Sequence, residues 1–559
     1  MCETIAPDAY QTMQQWEEAG TLLASAVTNY LHLSLSLETN CLVGGVPPGY
    51  LSRRIDLSLD SLHVVLDRQI AEARSTLTRV RNQISSPVYR FPEEVLSEIF
   101  INTVFTPGFW EADVNEHKTV QFYRRIYNLI GVCSTWRNIV ISRGVFWSIV
   151  PIIYSGRRYL ATKHAANLSL ERAQGRPLHF IAFLSSWPYD FPCWAEHASR
   201  LQTVSICTST NAYEAMQGLL EGFLCSERLS LSQLSLCHTY EPSYYNQLPR
   251  EEHYILNNSA PTHPLNNIIH NLSILRIKGA QFYWDHVTFS GRLTELHFQD
   301  VMIGYDTTLT NLLGALSSAT QLRDLKFIGV RSFPVQGALV VPQIRLPSLE
   351  SLLARDLSYN TLAVLLAVIA SRSHRLTLFL TRKCRCIKLP GSDQAQDVDI
   401  QVLYQLLGTL SVHSLFLSGE NEHGWLSAAD LRNLVLLMPD LETLWINKWD
   451  LNQDACLALV RSPHPHPVLP NLKGLRFTQT GVWSEPAFKM MIISHSRSIQ
   501  WLEFGIVLVD EVDGDIRFSY ILGGWDNWLQ ENVGNPGIIE LDDEYEPYEF
   551  EEVEWRMWS

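Results

Sequence analysis

The chain is 559 residues long, too long for one ordinary core, so it divides into several domains or winds into one elongated solenoid. Hydrophobic residues make up 46% and charged residues 18%, the balance of a globular rather than a disordered protein. The net charge of -15 argues against a nucleic-acid partner, whose phosphates need dense Lys and Arg neutralisation.

Residues 1–50 form a weakly patterned leader ending in the turn-rich Gly44-Gly45-Val46-Pro47-Pro48-Gly49. Its first residues lack the basic and apolar regions of a secretory signal. The run from Thr21 to Val43 holds too many Ser, Thr and Asn residues for a membrane span. The expectation is a soluble intracellular chain, cytoplasmic or nuclear, without a membrane partner. Over residues 51–86, Ile55, Leu59, Leu62, Leu66, Ile70, Ala73, Leu77, Val80 and Ile84 step by three or four, which predicts a long amphipathic helix. The period is close to a heptad, with a stutter near Leu66–Ile70. Two readings stay open: a coiled-coil dimer, or a helix packed on its own domain.

In Tyr89-Arg-Phe-Pro-Glu-Glu-Val-Leu-Ser-Glu-Ile-Phe100, Pro92 can open a helix at a position where a missing N–H costs nothing. Glu93 and Glu94 then sit where negative charge favours the helix dipole, and Val95, Leu96, Ile99 and Phe100 make an apolar stripe. The pattern Val132-Cys133-Ser-Thr-Trp136 follows, and then Phe146-Trp147. These residues over 88–150 resemble an F-box, a small all-α module that docks a Skp-type adaptor and through it a cullin–RING ubiquitin ligase. The inserted loop 105–120, and Phe91 where the family usually has Leu, are departures. The resemblance implies adaptor contacts at Phe91, Pro92, Leu96, Ile99, Val132, Cys133 and Trp136, with Trp147 as the closing tryptophan.

Leu168 to Phe180 reads as a helix closed by Gly175, with a first strand after Pro177. Over 157–510 a triplet Leu-x-x-Leu-x-Leu/Ile/Phe recurs, as in Leu272/Leu275/Ile277, Leu293/Leu296/Phe298, Leu441/Leu444/Ile446 and Leu472/Leu475/Phe477. Degenerate copies stand at Leu349/Leu352 and Leu378/Leu380. The spacing is 21 to 41 residues, most often near 27–31, with helical patterns such as Leu309–Leu316, Leu362–Ile369 and Ala428–Met438 between copies. The fold class expected is an α/β solenoid, leucine-rich-repeat-like, with parallel strands and outer helices. It would follow the small all-α segment and the long amphipathic helix. A leading helix, the F-box and then helix-Gly-x-Pro-Leu also resemble F-box proteins of expanded fungal families. Residues 511–559 form a C-terminal segment with an acidic tail at 540–554, read as solvated or as a competitor for basic positions of the solenoid.

No Gly-x-Ser-x-Gly elbow, phosphate loop, His-Glu-x-x-His or glycine fingerprint occurs, so neither catalytic residues nor a cofactor are expected. The ten cysteines suit a reducing compartment, and Cys384-Arg-Cys386 has the wrong spacing for a zinc knuckle. His464-Pro-His466-Pro reads as a stiff loop, and no metal is expected. Strand alternation sends Arg276, His297, Lys326, Phe416, Trp445, Arg476 and Glu503 to an exposed face opposite the triplets. Part of that row is expected to hold an unidentified protein substrate, since Trp and Arg anchor interfaces. The resemblance implies a non-catalytic substrate-recognition subunit. The alternative is a leucine-rich scaffold that assembles proteins without ubiquitin transfer.

Overall fold

The computed structural model describes residues 7–540 apart from 86–87, 89–90, 106–115, 154–158, 186–195, 210–212, 225–229, 240–247, 249–250, 252–253, 257–263, 336, 338–340, 370–373, 393, 420–423, 462–467, 513–514, 521–524 and 534–536. The centre of the inserted loop, the His464-Pro-His466-Pro run and the acidic tail beyond Glu540 lie outside the described residues. The chain forms two compact units, Met1–Leu96 and Ser97–Ser559. No helix among the described residues is long and apolar enough to cross a membrane.

The leader of the first unit is a helix, α1 (Pro7–Leu37), extended by a π-turn over Glu38–Leu42. Sequence patterning missed it because Ser and Thr residues break the apolar stripe. Their hydroxyls instead donate back to the preceding turn, Thr21 to the Glu17 carbonyl and Ser25 to that of Thr21. The expected long helix is there as α2 (Pro48–Leu57), a π-turn over Ser58–His63 and α3 (Val64–Ser85). The π-turn lies one turn ahead of the stutter in the apolar period, the kind of slip a wider turn absorbs.

Helix α4 (Glu93–Val104) starts one residue after Pro92, whose carbonyl accepts from the Leu96 N–H. In the second unit α5 (Glu116–Val132) and α6 (Ser134–Ser142) are separate because Cys133 is extended and its sulfur accepts from the Trp136 N–H as an N-cap. A 3-10 turn, Gly144–Trp147, leads straight into the first strand of the sheet, β1 (Ile149–Ile153). The sheet therefore begins before Pro177, inside the segment assigned to the small helical module. After it come α7 (Tyr159–Arg172), the left-handed Gly175 and β2 (Leu178–Leu184).

The strands then follow as β3 (Leu201–Thr208), β4 (Gln233–His238), β5 (Ile274–Lys278), β6 (Glu295–Gln299) and β7 (Asp324–Ile328). They continue as β8 (Ser351–Arg355), β9 (Arg375–Leu380), β10 (Val412–Ser418) and β11 (Thr443–Asn447). The last are β12 (Gly474–Val482), β13 (Trp501–Val512) and β14 (Asp515–Tyr520). Each pairs with the next in chain order, in parallel up to β13, and β14 folds back antiparallel. Gly537–Glu540 adds beside β13, so the sheet outlasts the fading of the repeat pattern after residue 510. The architecture is an α/β solenoid-like stack. Helices such as α8 (Tyr213–Leu224), α9 (Pro264–Ile269), α10 (Asp306–Ala315), α11 (Tyr359–Val368), α12 (Ile400–Leu407) and α13 (Ala428–Leu436) join successive strands.

The triplet residues make the core: Leu275, Ile277, Leu296, Phe298, Leu325, Phe327 and Leu444 are fully buried. One backbone device repeats at the strand ends. Gly279, Asp300, Gly329 and Asp356 follow β5 to β8, all with positive φ. The first three donate their N–H to the last carbonyl of the next strand, and Asp356 to that of Phe379, one residue before the end of β9, all at 2.8–3.0 Å. Gly329 has a second constraint, because a Cβ there would strike the Asp300 carboxylate.

Candidate interaction surfaces

The helical segment of the second unit is built on aromatic contacts. Phe100 packs against Trp136 with ring centroids 4.5 Å apart and the planes tilted by 51°, and Phe105 meets Phe122 at 5.2 Å. Tyr123 ties the segment to the sheet, donating to the Ile149 carbonyl at 2.7 Å and lying 2.8 Å from the Ser169 hydroxyl. Trp147 is fully buried, donates its indole N–H to the Val140 carbonyl at 2.9 Å and carries the Arg172 guanidinium 4.7 Å above its ring. A Cβ on Gly144 would lie 2.5 Å from the Ala173 carbonyl, so the end of α7 comes as close as a glycine permits.

This packing sorts the expected adaptor contacts. Trp147 and Leu96 are buried, Trp136 is half-buried on Phe100, and Cys133 acts as a cap. Phe91 and Pro92, in the first unit, are exposed. Ile99 and Val132, in the second, keep 46% and 56% of their surface, and Tyr127 beside them in sequence was not foreseen. On helices this short, side chains that size facing water are the ones a partner can cover.

The second surface is the sheet face turned away from the triplet core. The seven expected substrate residues all lie on it, but not in a single row. Arg276, His297 and Lys326 are directly paired across β5, β6 and β7. Phe416, Trp445, Arg476 and Glu503 are paired across β10 to β13 in a row two residues further along the strands. Upstream that second row continues through Phe379 and Arg355. The offset arises in β9, where Leu376, Leu378 and Leu380 are all core residues. Leu376 pairs with Leu352 on one side, and Leu380 pairs with Leu417 on the other. The triplets on the two sides of β9 are thereby keyed two residues apart.

The expectation that these residues are exposed is corrected: none of the seven is, and Lys326, Arg476 and Glu503 are half-buried. Arg276 and His297 are only 1% and 4% exposed, and Phe416 and Trp445 only 9% and 8%. Neighbouring strands stand about 4.8 Å apart, so large side chains in one row bury each other. Arg276 is held by two charge-assisted bonds to Glu295, Nε to Oε1 at 2.7 Å and Nη2 to Oε2 at 2.9 Å. Burial, with the Lys326, Arg276 and Lys278 charges after it, pushes the His297 pKa well below the usual histidine range. This imidazole is neutral at physiological pH.

In the later strands the face is aromatic. Phe379 stacks on Phe416 at 5.8 Å, Phe416 meets Trp445 at 4.1 Å, and Trp445 meets Trp501 edge-on at 6.4 Å. Trp501 lies over Gly474, where a Cβ would collide with its ring. Two guanidiniums rest on this strip: Arg355 is 4.5 Å from the Phe379 centroid and Arg476 is 3.9 Å from that of Trp445. Arg476 also pairs with Glu503. Arg355 and Trp501 were missed because no triplet flags them: Trp501 precedes its Leu, and Arg355 follows an alanine. The arrangement offers flat apolar area edged by cations, which suits binding a protein segment. It contains no nucleophile–base pair. Among the described residues no cluster of three His, Cys, Asp or Glu could hold a metal ion, and Cys384 is a buried thiol whose pKa burial raises.

Comparison with family models and with curated proteins finds no match.

Proposed function

We propose that the protein is the non-catalytic substrate-recognition subunit of a Skp–cullin–F-box ubiquitin ligase. The observation that carries this reading is the division of labour among the motif residues. Trp147 and Phe100 are spent on internal packing, while Ile99 and Val132 remain uncovered on the same helical segment. The segment runs without a linker into a sheet whose outer face bears an aromatic strip under Arg355 and Arg476. The helical end would dock the adaptor, and the strip, with Lys326 and Glu503 at its margins, would hold the protein target. The ligase would act by proximity, since tethering raises the effective concentration of target lysines at the transfer site.

Ile99→Asp combined with Val132→Asp tests the docking half, because both positions are exposed and the core is left intact. The expected outcome is loss of co-purification with a Skp adaptor, by at least about 100-fold in affinity if the two are anchors of about 2 kcal/mol or more each. The circular dichroism spectrum should be unchanged. Undiminished capture would reject the F-box reading and leave a scaffold that assembles proteins without ubiquitin transfer.

A further inference from the structure

The first unit carries a surface that its own fold does not cover. Among the described residues, 36 large hydrophobic side chains are exposed, and 23 of them lie between Tyr10 and Ile84. Every described side chain from Tyr10 to Leu35 is exposed, and α2, α3 and the π-turn between them contain no buried residue. Leu22, Leu35 and Ile84 keep 71%, 73% and 69% of their surface.

The two helices already form an antiparallel hairpin. The Tyr30 hydroxyl lies 2.9 Å from the Ser58 hydroxyl and 3.2 Å from the His63 Nε2. Further out, Leu23 of α1 and Leu66, Ile70, Ala73 and Leu77 of α3 line an open groove of about 390 Å³. The turn is made at Gly44-Gly45, with Gly45 in the left-handed region at φ 79°. Two helices alone cannot enclose a core; the smallest closed arrangement of such hairpins is a four-helix bundle.

Charge identifies the other pair of helices. α1 carries Asp8, Glu17 and Glu18 and no Lys or Arg, a net -3. From Pro48 to Ser85 there are six Arg (53, 54, 68, 74, 79, 81) against four acids (56, 60, 67, 72), a net +2. The acids of α1 sit near its start and Arg74, Arg79 and Arg81 near the end of α3, at the same open end of the hairpin. A surface with one acidic and one basic edge is complementary to itself under a two-fold rotation. We infer that this hairpin is a homodimerisation module: two copies close into an antiparallel four-helix bundle, both turns at one end, α1 of each copy lying along α3 of the other. In that arrangement each acidic end meets the Arg74–Arg81 end of the second copy. The reverse arrangement, turns at opposite ends, would set it beside Arg53, Arg54, Asp56 and Asp60, a stretch with no net charge, instead. A helix of 38 residues is about 57 Å long, ample for the roughly 1,200–2,000 Å² of a stable interface.

Light scattering on the full chain after size exclusion should give twice the 63.8 kDa of one chain. Leu62→Glu with Leu77→Glu, both at positions exposed in a single hairpin, should raise the dimer dissociation constant by at least about 100-fold with helix content unchanged. Two charge-swapped chains, one Glu17→Arg/Glu18→Arg and the other Arg79→Glu/Arg81→Glu, should each dimerise poorly alone and form a heterodimer when mixed. A single-chain mass at about 10 µM would overturn the inference, whatever else the hairpin holds, because a standard-size interface is assembled there. A dimer indifferent to the Leu62/Leu77 substitutions would also overturn it, by placing the interface elsewhere.

Discussion

The strands up to β7 and those from β8 onward share one backbone plan and bear opposite chemistry on their outer face. In the earlier half that face is polar and internally neutralised: Arg276 is paired with Glu295, and His297 is held uncharged between cations. In the later half it is an aromatic strip, Phe379, Phe416, Trp445 and Trp501, with guanidiniums laid on the rings. The ladder of strand-end hydrogen bonds is common to both halves, running from Gly279 in the first to Lys448 in the second. A repeat plan thus fixes where side chains stand and leaves open what they are. The polar half has its hydrogen-bonding capacity turned inward, so the aromatic half is the better place to look for a bound partner.

The two halves should respond differently to truncation. Trp445→Ala removes a ring packed between Phe416, Trp501 and Arg476, and no neighbour can fill the gap. The expected loss is about 3–5 kcal/mol, measured as a fall in the urea midpoint, with no second substitution that restores it. Arg276→Met should cost about 3 kcal/mol for a different reason, since it removes both charge-assisted bonds to a Glu295 carboxylate with only 15% of its side chain exposed. Adding Glu295→Met should recover most of that loss, because an apolar pair of similar volume often replaces a buried ion pair without penalty. If the double variant is as unstable as the single one, the polar half is not the self-neutralised surface described.

The feature common to both halves is broken at Gly329. Gly329→Ala should cost about 2 kcal/mol, from the positive φ and the collision with Asp300. Gly314→Ala, in α10 with nothing within 4 Å of the new methyl, should instead gain about 0.5–1 kcal/mol. Equal effects would mean that the strand-end ladder is not what holds adjacent strands in register.

Much of the fold was legible because apolar spacing follows the period of each element. The triplets, the helix over 51–86 and the helices at Leu309, Leu362 and Ala428 all follow from it. Three things were not legible. Helix α1 lacked contrast, since its Ser and Thr hydroxyls are satisfied inside the helix and its apolar residues lie all round it. Strand β1, Ile-Val-Pro-Ile-Ile, has no alternation because all five residues are buried. The two-residue offset in β9 arises from pairing between strands, and no single repeat records it. At the candidate surfaces alternation gave the face of the sheet on which each side chain lies, but not its burial. Alternation tells which face a side chain takes, whereas exposure depends on the size of the side chains on the two flanking strands.

The smallest predicted effect is a pH dependence concentrated in the earlier half. His179, in β2, has its pKa lowered to about 4 by burial, and His297 lies well below the ordinary value. Both bind fewer protons folded than unfolded, so each contributes stability that is fully present above the unfolded pKa near 6.5. That stability is lost as pH falls through 6.5 towards the folded pKa. Between pH 7 and pH 6 the expected loss is only about 0.7 kcal/mol for each, growing towards about 1.4 kcal/mol per further pH unit. His297→Met keeps the volume of the side chain and removes the titration. The variant should therefore lose less of its urea midpoint than the parent between pH 7 and pH 5. An unchanged pH slope would mean that His297 is not held neutral between Arg276 and Lys326, and the contrast between the two halves would lose its electrostatic side.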